Sequence, residues 1–91
     1  MVSSNKATAL RAQARVIQPV VQIGKNGLTQ GTLDLIEREL EQKQLIKIKI
    51  FASAMGDDAR SEKKRMVEEI VKKTGAYLVM QTGNVLALYK G

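Results

Sequence analysis

The sequence predicts an α/β fold of order α-β-α-β-α-β-β, a mixed four-stranded sheet with helices packed on it. Three observations carry that expectation. Apolar residues recur at helical spacing in three stretches, whereas in Leu45–Phe51 they alternate strictly, Ile46, Ile48 and Ile50 against Lys47 and Lys49. Turn residues fall where the period changes, at Gly24-Lys25-Asn26-Gly27, Gly56, Gly75 and Gly83-Asn84. Two β-α-β units imply parallel, right-handed crossovers, and a closing hairpin adds an antiparallel pair.

Taken in order, residues 1–5 read as a frayed leader, followed by a short helix whose stripe is Ala7, Leu10 and Ala14, with Arg11 and Arg15 beside it. Residues 19–23 are rich in β-branched side chains and open on a proline, which suits the start of a strand. The Gly-Lys-Asn-Gly turn follows at once. Thr29 is placed to cap a second helix, with Leu28 and Leu33 as a hydrophobic staple and Leu33, Ile36 and Leu40 as its buried stripe. That helix ends near Gln42-Lys43. The second strand then presents one apolar and one basic face, on which Lys47 and Lys49 either meet a ligand or keep an open sheet soluble. Ala52–Asp58 is a loop of small residues, and Asp57 or Asp58 starts a third helix with the stripe Met66, Val67, Ile70 and Val71. Gly75 ends that helix. Tyr77–Gln81 and Val85–Tyr89 form the hairpin strands around Gly83-Asn84.

Composition bounds the function. The chain has 91 residues, 44% of them hydrophobic, enough for one small domain spanning 1–91 with a modest core. It contains no cysteine and no histidine, which removes thiolate metal sites and the commonest general base, so no enzyme and no cofactor is expected. No apolar stretch approaches a membrane span and no signal-peptide core opens the chain, so a cytoplasmic protein without a membrane partner is expected. A formal net charge of +6 favours an acidic partner, and nucleic acid above all.

The distribution of that charge is uneven. Before Asp34 the chain carries Lys6, Arg11, Arg15 and Lys25 and no acidic residue. In the third helix, by contrast, Arg65–Glu69, Glu68–Lys72 and Glu69–Lys73 stand at i,i+4 spacing and are expected to pair. The uncompensated region ends in the glycine turn, whose bare amides and following helix N-terminus suit a phosphate. A lone Gly-x-x-Gly also serves many plain strand-to-helix connections. Its Lys-Asn tip and the adjacent basic helix make it a candidate clamp for a nucleic-acid backbone. Tyr77 and Tyr89 read as packing residues. With one phenylalanine and no tryptophan, the chain lacks the broad aromatic platform of stacking-based RNA binders.

Leu10-x-x-x-Ala14, Pro19-Val20-Val21-Gln22-Ile23-Gly24-Lys25-Asn26-Gly27-Leu28-Thr29, Leu45-Ile46-Lys47-Ile48-Lys49 and Gly83-x-Val85-x-Ala87-Leu88-Tyr89-Lys90 together resemble the CRM domain. This is the chloroplast RNA splicing and ribosome maturation family, with stand-alone YhbY-like prokaryotic members. The resemblance covers nearly the whole chain. It implies a fold related to the carboxy-terminal domain of the third translation initiation factor, a KH-like GxxG loop, RNA binding, and association with precursor large ribosomal subunits. On it, Gly24, Lys25, Asn26 and Gly27, with Thr29 behind them, take the role of gripping RNA, and Arg11, Arg15, Lys47 and Lys49 occupy positions where the family places basic residues. Arg15 stands where many members have histidine, and Val16-Ile17-Gln18 leads to Pro19 without a further basic residue. No contacts from a basic tail beyond Gly91 are expected.

The expected function is RNA binding to ribosomal RNA or pre-ribosomal particles, with no small-molecule substrate and specificity drawn from RNA shape. A basic module that meets an acidic protein partner is the alternative.

Overall fold

The computed structural model describes residues 3–91 and runs α1 (Ser4–Val16), β1 (Pro19–Ile23), α2 (Gln30–Lys43), β2 (Leu45–Ile50), α3 (Ala59–Thr74), β3 (Tyr77–Thr82) and β4 (Val85–Tyr89). The element order is the expected one. The leader is shorter than expected, however, because the Ser3 hydroxyl accepts from the Lys6 amide and starts α1 at Ser4. Residues 1 and 2 of that leader lie outside the described residues. A single 3-10 turn, Ala52–Ala54, interrupts the loop after β2 and seats Met55 in the core.

The caps follow the side-chain chemistry of the sequence. Thr29 Oγ1 accepts from the Thr32 amide at 3.2 Å, and Asp58 Oδ1 accepts from the Ser61 amide at 3.4 Å. Leu28 packs on the core cluster that contains Leu33, as a staple does. At the far end of α3, Gly75 takes the left-handed conformation, φ 71°.

The strand order is β1-β2-β4-β3. β1 pairs parallel with β2, and β4 pairs antiparallel with both β2 and β3. The second β-α-β unit therefore leaves a gap between its strands, and β4 fills it. Burial explains the choice: Leu86, Ala87 and Leu88 are all buried, so β4 is apolar on both faces and belongs in the middle of the sheet. Among the described residues, no helix is long and apolar enough to cross a membrane.

The sheet separates two cores. On one face α2 and α3 lay Leu33, Ile36, Leu40, Met66 and Ile70 over the strand residues Val21, Ile23, Ile46, Ile48, Ile50, Leu86 and Leu88. Each fully buried Ile or Leu there contributes about 1.5–3 kcal/mol of transfer free energy. On the other face α1 sets Leu10 and Ala14 on Val79 and Ala87, flanked by Leu45, Met80 and Tyr89. A register irregularity between Leu78 and Met80 turns both Val79 and Met80 towards α1. The face expected to be open and basic is thus largely covered. α1 packs over β3 and β2, and Val20 and Gln22 of β1 remain exposed.

Ion pairing in α3 meets expectation at Arg65–Glu69 and departs from it elsewhere. Arg65 binds Glu62 at 2.8 Å and Glu69 at 3.5 Å, and the Glu62 hydrogen bond raises its already high pKa. The pairs Glu68–Lys72 and Glu69–Lys73 do not form among the described residues. Exposed lysines at i,i+4 gain little from pairing against the entropy of holding two long side chains still.

Candidate nucleic-acid interface

β1 and β2 run side by side and end together, so the 24–29 connection and the segment beginning at Phe51 emerge at one edge of the sheet. The Gly27 amide donates to the Gly24 carbonyl at 2.8 Å, closing a tight turn with Lys25 and Asn26 exposed at its tip. Gly27 has φ 68°, which only glycine adopts without strain, whereas Gly24 does not. A Cβ built on either glycine meets nothing within 4 Å. The turn therefore stands clear of the body, and α2 starts three residues after it with no acidic residue in its first turn. The Thr29 hydroxyl is engaged in the cap, 3.0 Å from Thr32 Oγ1 and accepting from the Thr32 amide.

The other sequence-selected residues fall on the α1 side of the sheet. Arg15 and Lys47 meet at a shallow cavity of about 300 Å³ whose floor includes Met80, Val85 and Ala87. Arg11 lies one turn earlier on the same flank of α1, its guanidinium 3.4 Å from Thr8 Oγ1. Lys49, opposite Gln22 and Val85 in the ladder, places its ammonium 5.1 Å from the centre of the Phe51 ring. Arg15 and Lys47 thus meet across α1 and β2, Lys49 follows two residues along the same strand beside Phe51, and β1 next to β2 carries the turn.

Charge sorts with the layers. All nine acidic residues of the chain lie in α2, in α3 or in the loop before α3. α1, the 24–29 turn and β2 hold Lys6, Arg11, Arg15, Lys25, Lys47 and Lys49 with no acid among them. α1 and β2 share one side of the molecule only because the sheet lies between α1 and the acidic helices.

The residue that sequence reasoning passed over is Phe51. It was the end of a strand by pattern; in the structure it follows β2, stays extended (φ −78°, ψ 152°) and leaves its ring 37% exposed. Spacing alone held the signal, since Lys47, Lys49 and Phe51 stand at i, i+2 and i+4 and share a face. Tyr89 does pack under α1, with Lys6 4.8 Å over its ring, whereas Tyr77 on the edge strand is 36% exposed.

The model of the CRS1/YhbY (CRM) domain matches residues 2–90. The chain belongs to the CRM domain family. This CRM domain is 37% identical over 89 residues to a Haemophilus influenzae protein named as RNA-binding, covering 98% of this chain and 85% of the relative. It is 29% identical over 90 residues to Bacillus subtilis YqeI, named a probable RNA-binding protein, covering 99% and 88% of the two chains. The solution structure of a hypothetical Staphylococcus aureus protein, described as a candidate RNA binder, superposes on this CRM domain with a TM-score of 0.77 and 28% identity. The alignment covers all of this chain and 90% of the other. The three-helix, mixed-sheet architecture is that of the family.

Proposed function

We propose that this CRM domain binds structured RNA, holding its backbone at the Gly24–Gly27 turn and on the adjacent basic surface, and that it acts in the cytoplasm in assembly of the large ribosomal subunit. The observation that carries the reading is the segregation of charge: the acid-free side of the molecule ends at an open glycine turn backed by the N-terminus of α2. Bare backbone amides and a helix N-terminus bind phosphate oxygens without base preference, and Lys25, Arg15, Lys47 and Lys49 add charge. Arg11 extends the same field along α1. Thr29 contributes by holding the first turn of α2 in place. The names of the relatives support the RNA ligand, and the resemblance to ribosome maturation proteins supports the particle.

The test is a gel shift with ribosomal RNA fragments on the Lys25→Asp, Asn26→Asp double variant. Both positions are exposed, so circular dichroism should report an unchanged fold. RNA affinity should fall by about 1–3 kcal/mol, from a lost charge-assisted contact and added repulsion at one site. A folded variant that binds RNA like the parent reduces the turn to a structural connection.

A further inference from the structure

We propose that Phe51 is a stacking platform for one unpaired base of the RNA whose backbone lies on the glycine turn. The inference rests on the RNA-binding reading and adds a base contact to it. Three observations place the ring where a base can reach it. The Phe51 amide donates to the Ile23 carbonyl at 2.9 Å, so the β1–β2 ladder continues one step past β2 and sets Phe51 beside Gly24, the first residue of the turn. Gly24 has an ordinary φ and a Cβ there would meet nothing within 4 Å, so the fold does not require glycine at this position and the space beside the turn is open. Phe51 also stands on the same face as Lys47 and Lys49, beyond the part of the sheet that α1 covers.

The chemistry of this corner matches a nucleotide. The Lys49 ammonium lies over the ring, 5.1 Å from its centre, and is placed to move onto the neighbouring phosphate as the flat apolar ring takes a base. No carboxylate occurs in β1, β2 or the turn to repel RNA. A duplex keeps its bases stacked on one another, so the ligand portion is a single-stranded loop or end.

The chain has no tryptophan, so Phe51→Trp introduces one fluorophore at this point. The probe is a single-stranded RNA of about 12 nucleotides, a length within the usual range of single-strand sites, with its duplex as the control. Phe51→Trp should keep the parent's affinity, and its emission should be quenched by the single strand far more than by the duplex. Phe51→Leu and Phe51→Ala should weaken single-strand binding roughly five- to 160-fold, the range carried by one base–aromatic stack. Their slope of log affinity against log salt should match the parent's, because the lost contact involves no phosphate. Circular dichroism verifies folding, and the leucine variant preserves packing without a π face. Parent-like affinity in Phe51→Leu, or an unquenched Phe51→Trp that binds, overturns the stacking role and leaves the backbone clamp standing. A parent protein that binds the ribosomal RNA fragments but not the single strand overturns the stacking role alone, and one that binds none of these RNAs at low salt overturns both.

Discussion

Gly24 and Gly27 bracket the same turn yet answer to different demands. Gly27 sits at φ 68°, where a side chain is strained whatever the space, and a β-branched one most of all. Gly27→Val should therefore lower stability by about 1–3 kcal/mol in a urea melt, the usual cost of a strained backbone position. Gly24→Ala should stay within about 0.5 kcal/mol of the parent, as substitutions at open surface positions do. Equal losses for the two would mean that space, and not backbone conformation, selects the glycines. The motif itself was legible in the sequence as Gly-x-x-Gly before a capping threonine. Which glycine the fold needs was not, because φ is decided by how the chain leaves β1 and enters α2.

At the scale of elements, α1 and α3 are both rich in basic residues and differ in their surroundings. α1 contains no acid, whereas α3 interleaves Glu62, Glu68 and Glu69 with its lysines and arginines. Only Arg65 among those α3 cations forms an ion pair among the described residues. Lys72 and Lys73 are nevertheless in a field of nearby carboxylates, with Glu68 and Glu69 lining the same surface depression. Replacing Arg11 and Arg15 by alanine should weaken RNA binding at least several times more than replacing Lys72 and Lys73, measured by titration at constant salt. Equal losses would place the ligand on the α3 side. Helix boundaries and stripes were readable because caps and 3.6-residue spacing are local properties. Of the three α3 pairs that spacing offered, Arg65–Glu69 forms and, among the described residues, the two lysine pairs do not, because i,i+4 spacing permits a pair without making it worth the entropy of forming.

At the scale of the whole molecule, the sheet acts as a partition between a mixed-charge layer and a purely basic one. Association driven by the basic layer should weaken steeply with salt, with a log–log slope of about −0.7 for each phosphate contacted on a single strand. The same affinity should hold steady between about pH 6 and 7.5, because the chain has no histidine to titrate there. A salt-insensitive affinity would remove phosphate contacts from the mechanism, and a pH step in that window would point to a titrating group other than a histidine side chain.

The sequence by itself determined the identity and order of the seven helices and strands, the cap at Thr29, a cap at Asp57 or Asp58, the stop at Gly75 and the apolar stripes, all of which depend on neighbours within a few residues. The tertiary structure alone decided the insertion of β4 between β2 and β3, the docking of α1 on the face that alternation marked as basic, the meeting of Arg15 with Lys47, and the contact of Lys49 with Phe51. Alternation tells which way a side chain points but not what covers it. That depends on which strand buries both its faces and so claims the centre of the sheet, a competition among segments far apart in the chain.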